Sequence, residues 1–297
     1  MVSAARALEF ADGDRSLTRA AQYFGAQAAY SRGDYADSAA TLRKLIHDLE
    51  SRDPLAWAGT PGPSVIFYRA WLVWALSQQG HADESVAVAR VMRSLADEVN
   101  LPLCRTIAHL SEGFALALAG RPAEAEVTLR ISLSLCRKWE FFAWSTNICL
   151  NLGYVLAHLG LFEEAFDLFQ QAIHRTTTSG IFVNHALELA RFAEANHLAG
   201  RLDEAVRLSE RAIEVAGLYE ERGNEAWATV ALAEALSALG LVVSAKTHYA
   251  AALRLGTECQ MAPVIRRCNE GLSRLYDEPD RARVASTTTG AKASGAP

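Results

Sequence analysis

Gly80, Gly120, Gly160, Gly200 and Gly240 stand forty residues apart. Nothing else in the sequence restricts the fold as tightly. A fixed period in the range of roughly 20–50 residues implies stacked supersecondary units, none able to hide its apolar face alone. Gly33 precedes the series by 47 residues, and the surplus falls in the loop-like WAGTPGPS, residues 57–64. Five places after each glycine a small residue recurs: Ser38, Ser85, Ala125, Ala165, Ala205 and Ala245. Further on, the later units share Ala172-Ile173, Ala212-Ile213 and Ala252-Leu253.

Each unit reads as two antiparallel helices. Upstream of the glycine, apolar residues recur at helical spacing, as at Cys149, Leu152, Gly153 and Leu156. The glycine suits the left-handed residue that closes a helix, where a Cβ is penalised. Acids follow at once (Asp83-Glu84, Glu163-Glu164, Asp203-Glu204), where the dipole of the second helix favours anions. The small residue after the turn faces another seven before it (Ala26, Gly113, Gly153, Ala193, Ala233; Val73 is the exception), which lets the two helices approach closely. No strand alternation competes. The expected fold is all-α: an α-solenoid, a right-handed superhelix of about six helix pairs and a capping helix over residues 262–276. The folded array spans 15–276. Residues 1–14 are expected to be partly disordered. So is 277–297, DEPDRARVASTTTGAKASGAP, which is nearly devoid of large apolar groups.

Composition excludes several functions. A net charge of −5, with 29 Lys and Arg scattered among 34 acids, leaves no basic stripe for nucleic acid. The five cysteines form no metal spacing, and the first residues carry acids where a secretory signal is apolar. Reduced thiols in a cytoplasm are the expectation. Residues 141–162 carry no formal charge over 22 positions, long enough to span a bilayer. They keep the register of the other units, so a buried helix pair is expected and no membrane partner. No GxSxG, GxGxxG, HExxH or GxxxxGK[ST] occurs, and DGDRS at 12–16 lacks the glycine and glutamate of a calcium loop, leaving helix capping. The chain is expected to be no enzyme and to need no cofactor or metal.

Small residue, turn glycine, small residue and Ala-hydrophobic, as in Gly153, Gly160, Ala165 and Ala172-Ile173, resembles the tetratricopeptide repeat (TPR). The period is longer than the common one of the repeat, and the proline that usually ends the second helix is missing. GTPGPSVIFYRAWLVWALSQQGHADES (59–85), RAIEVAGLYEERGNEAWATVALAEAL and RRCNEGLSRLY are similar to the C-terminal TPR region of bacterial signalling ATPases, often fused to adenylate or guanylate cyclase domains. That resemblance implies a sensor or assembly platform, whose partner could be an ATPase or cyclase domain. The nucleotide switch itself is absent from the sequence.

Solenoids of this type bind on the concave face, built by the first helix of each pair. Positions 13, 6 and 3 before each glycine share one stripe of that helix. The stripe supplies the candidate groove residues Phe67, Asn147 and Trp227 at the first position, Trp74, Phe114, Tyr154, Glu194 and Glu234 at the second, and His197 at the third. Three aromatics followed by two acids suit a protein or peptide ligand with apolar anchors and a basic end. The alternative is that the rings pack inside a tight superhelix. His158, His197, Asn147, Asn151 and Arg191 lie close in register without the convergence that a metal or catalytic site needs.

Overall fold

The computed structural model describes residues 14–290 except 181 and 183, with side chains to residue 276. The expected N-terminal segment, Asp14 apart, and residues 291–297 lie outside the described residues.

Among the described residues there are thirteen helices and no strand. Six pairs follow one another: α1 (Arg15–Arg32) and α2 (Tyr35–Glu50), α3 (Ser64–Gln79) and α4 (Ala82–Val99), α5 (Pro102–Leu118) and α6 (Pro122–Lys138). Then come α7 (Phe142–His158) and α8 (Phe162–Ser179), α9 (His185–Leu198) and α10 (Leu202–Leu218), α11 (Arg222–Ala238) and α12 (Val242–Glu258). The last helix, α13 (Ala262–Gly290), continues as backbone helix past Tyr276, into the segment that composition assigns to a disordered tail. Asp14 caps α1 by accepting from the amides of Ser16 and Leu17, the role expected of DGDRS. The uncharged run 141–162 is broken by the turn at Leu159 and Gly160, and no described helix is long and apolar enough to cross a membrane.

The repeat glycines sit where the period places them. Gly80, Gly120, Gly160, Gly200 and Gly240 all have φ of 75–83°, closing the first helix of a pair. A second set of left-handed residues lies half a period away, at Asn100, Glu140, Gly180, Glu220 and Gln260. These turn the chain from one pair to the next.

Inner and outer helices differ in composition because they differ in surroundings. From α3 onward the first helix of a pair is largely enclosed; in α3 only Trp71, Trp74 and Gln79 are not buried. The second helix is amphipathic, as in α8, where Ala165, Phe166, Leu168, Phe169, Ala172 and Thr176 are buried, Phe162, Ile173 and Arg175 are partly buried, and the rest are exposed. Within a pair the helices touch through small residues. A Cβ at Gly113 would overlap the Leu129 side chain, so this contact excludes any larger residue.

The superhelix closes on itself. Helix α1 packs against α11, and α13 against α3. At this seam a Cβ on Gly223, at the start of α11, would overlap the Tyr35 ring of α2. Pro263 of α13 lies against Gly80. The seven inner helices thus wrap into a ring whose ends meet, and the candidate stripe faces its interior.

Candidate binding cleft

The interior has two unlike halves. Where α1, α3 and α5 face inward, aromatic rings fill it. Tyr30, Trp71 and Trp74 form an edge-to-face chain with ring centroids 5.2 and 4.9 Å apart. They leave an opening of only about 30 Å³, bounded by Phe114 and Leu110 and, from α7 and the α9 side, by Asn147, Asn151 and Asn184. Asn151 Nδ2 donates to the Asn147 carbonyl at 2.8 Å, which holds this rim in place.

Where α7, α9, α11 and α13 face inward, charges fill it. The Arg191 guanidinium lies between the rings of Tyr154 and Trp227, 4.0 and 4.4 Å from their centroids. Arg191 Nη1 donates to Glu194 Oε2 at 3.2 Å, and Arg267 Nη1 reaches Glu194 Oε1 at 2.9 Å. Arg267 also forks onto Glu234, its Nε donating to Oε1 at 3.0 Å. His158 Nε2 stands 3.1 Å from Glu194 Oε1. Burial alone would push the Glu194 carboxyl up; Arg267, the His158 hydrogen bond and Arg191 outweigh it and hold the acid well below the carboxylate range. Burial works against the Arg267 charge too, and Glu194 and Glu234 overcome it.

Beside this cluster lies a cleft of about 690 Å³, walled by residues of α5, α7, α9 and α11 and roofed by α13. A second hollow of about 340 Å³ adjoins it under the start of α13; Leu118, Gly120, Pro263 and Arg266 border both.

The sequence-predicted residues divide among these regions. Tyr154, Glu194, His197, Trp227 and Glu234 line the cleft. Trp74, Phe114 and Asn147 border the small opening. Phe67 lines neither: it is buried beneath the 57–64 loop, where a Cβ on Gly62 would stand 3.1 Å from its ring. That loop is pinned by the Ala58 amide, which donates to Ser64 Oγ at 2.6 Å. The basic-ended ligand loses its carrier as well, because both acids are already paired within the chain.

Four charged cleft residues lie outside the stripe that the glycine period marks. Arg266, Arg267, Glu270 and Arg274 belong to the helix expected only as a cap, yet all four line the cleft, and Arg267 is nearly enclosed. A signal existed. One more forty-residue step beyond Gly240 reaches Asp280, and Arg267 and Arg274 then fall 13 and 6 places before it, on the groove stripe. No glycine marks that step, so the glycine series ends at Gly240. Helix α13 is a seventh inner helix as well as a cap.

All five cysteines are free and buried. No group of three or more His, Cys, Asp and Glu among the described residues could hold a metal ion.

A family model of the tetratricopeptide repeat matches residues 146–178, and a second matches 67–90 and 107–130. With thirteen helices in this order among the described residues, the chain has an all-α, TPR-like helical-repeat fold. It resembles the repeat region of signalling ATPases. A Pyrococcus horikoshii STAND protein with a tetratricopeptide repeat sensor superposes with a TM-score of 0.53 at 13% identity, over 92% of this chain and 44% of that one. A Rap protein complexed with competence and sporulation factor gives 0.60 at 14% identity, over 88% and 76%. Bacillus thuringiensis PlcR, solved with the peptide PapR7 and DNA, gives 0.57 at 15% identity, over 79% and 82%. At these identities the likeness is one of fold. No curated protein matches the sequence.

Proposed function

We propose that the chain is a non-enzymatic scaffold that takes a protein or peptide into the cleft on the concave side of its superhelix. The observation that carries this reading is convergence: five groove-stripe residues from three repeats border one 690 Å³ cleft. Tyr154 and Trp227, of the residue types that concentrate binding energy, stand on its wall, held in place by the Arg191 guanidinium between them. Two solved relatives of the same fold lend support, since the Rap protein was solved with competence and sporulation factor and PlcR with the peptide PapR7. No nucleic-acid or membrane partner is proposed, and a cytoplasmic location fits five free thiols.

The test is to plug the cleft. Ser237 borders it and is half-buried, so Ser237→Phe fills space without entering the core. Heptapeptides panned from a random display library against the full chain should bind Ser237→Phe about tenfold more weakly, a loss of roughly 1.4 kcal/mol. Equal binding to both proteins would place the ligand elsewhere.

A second reading rests on the likeness to the STAND protein. The chain would be a sensor or docking module of a signalling ATPase or nucleotide cyclase. An adjacent reading frame for such a domain, whose product co-elutes with this chain, would favour it.

A further inference from the structure

The cleft contains three acids, Glu194, Glu234 and Glu270, and three arginines, Arg266, Arg267 and Arg274. Counting charges gives balance; counting hydrogen-bonding capacity does not. Glu194 accepts from Arg191 and Arg267 and faces His158, and Glu234 takes the Arg267 fork. Arg267 is fully engaged by these two acids. Glu270, on the same helix as the other two arginines, stands 4.0 Å from Arg266. Arg274 has no carboxylate partner among the described residues, and its Nε donates only to its own helix, at the Glu270 carbonyl. His197 Nδ1 is buried on the cleft wall without a hydrogen-bond partner. Arg191 and Arg267 balance Glu194 and Glu234, so on α13 a single acid, Glu270, stands against two cations, and one positive charge shared by Arg266 and Arg274 remains unmatched.

From this we infer that the cleft selects an acidic peptide, one presenting a side-chain or terminal carboxylate to Arg266 and Arg274. The inference rests on the reading that the cleft takes a peptide, and it reverses the ligand charge expected from Glu194 and Glu234 in the sequence. The two arginines lie eight residues apart on α13, about 12 Å along the helix. A single carboxylate does not bridge that span, whereas an extended peptide with acids three or four residues apart does. Arginine suits the task because its fork matches the carboxylate.

Arg266 and Arg274 are both exposed, so reversing their charge leaves the fold intact. The experiment pans a random heptapeptide display library against the full-length wild-type chain. Fluorescein-labelled heptapeptides from it are then titrated against wild type, Arg266→Glu/Arg274→Glu and the control Arg207→Glu/Arg211→Glu. The control makes the same net change on the exposed face of α10, and circular dichroism verifies all three folds. The expected result is selected peptides enriched in Asp and Glu that bind the α13 variant at least about tenfold more weakly and the control normally, with affinity falling as salt rises. Neutral or basic peptides that Ser237→Phe excludes, but that bind the α13 variant normally, would overturn the inference and leave the cleft standing. If no selected peptide depends on the cleft, both fall.

Discussion

The two halves of the interior solve one problem by different means. Seven inner helices must fill the space their ring encloses. On the α1–α3–α5 side they do so with Tyr30, Trp71, Trp74 and Phe114, whose rings leave an opening of only about 30 Å³ among them. On the α7–α9–α11–α13 side they use Arg191, Glu194, Glu234 and Arg267, and leave the cleft. Aromatic packing tolerates adjustment, since ring contacts are individually weak and adaptable. A buried ion cluster does not: each charge is costly out of water and is held only by its partners. The aromatic half is thus a filler, and the ionic half a fixed frame beside which a cleft can stay open.

The sharpest way to break this contrast is a pair of near-isosteric substitutions. Glu194→Gln keeps the shape but leaves Arg191 and Arg267 short of a counter-charge, and should cost about 3–5 kcal/mol. Leu110→Met, buried on the aromatic side, conserves volume and should cost under about 1.5 kcal/mol. Urea denaturation measures both. Equal costs would mean that the ionic half is no stiffer than the aromatic one.

The halves should also differ in their response to pH. Glu194 is held well below its ordinary value of 4.5, so the folded state keeps a charge that the unfolded chain gives up. Its contribution is present above pH 4.5 and is lost as pH falls toward the folded value. Tyr30, at the head of the aromatic chain, is pushed by burial up to about 12 from 10. The unfolded chain ionises first, so its contribution is present below pH 10 and is lost as pH rises through 12. Thermal melts across pH should therefore fall on both limbs. Glu194→Gln should flatten the acid limb, and Tyr30→Phe should reduce the alkaline one. Tyr154 is also raised by burial, so Tyr30→Phe leaves part of the alkaline limb in place. An acid limb unchanged in Glu194→Gln would show that the cluster is not what titrates.

How much of this the sequence reveals follows from the range of the interactions. The pairs, their turn glycines and the close approach at Gly113 are legible because each is set by residues a few positions apart or by a repeated residue type. The second set of left-handed turns keeps the same period, yet it is filled by Asn, Glu, Gly, Glu and Gln. With no shared residue type, that regularity is silent. The groove stripe is legible as an inward direction, but whether a residue such as Tyr154 meets a cleft or a neighbouring ring depends on how far the superhelix winds. That winding is summed over all the units, and no single stretch encodes it. Phe67 shows the limit at the other end: its stripe position is right, and the 57–64 insertion covers it.

The smallest effect tests the link between the halves. Trp227, in the ionic half, donates through Nε1 to Gln78 Oε1 of α3 at 2.8 Å, a hydrogen bond between residues 149 apart in sequence. Both are buried, so Gln78→Leu leaves an indole N–H unsatisfied and should cost about 1 kcal/mol. The larger consequence is local. If the seam closes the ring by itself, through Tyr35 on Gly223 and Pro263 on Gly80, Trp227 stays buried and its fluorescence emission keeps its wavelength. If the Gln78 bond holds the two halves in register, losing it admits water to the cleft wall and shifts that emission to the red. The hollow beneath α13 borders Ser77 as well as Arg266, so α3 already forms part of the wall next to the cleft. We therefore expect the red shift, with peptide binding weakened alongside it. An unshifted emission with unchanged binding would leave ring closure to the seam alone.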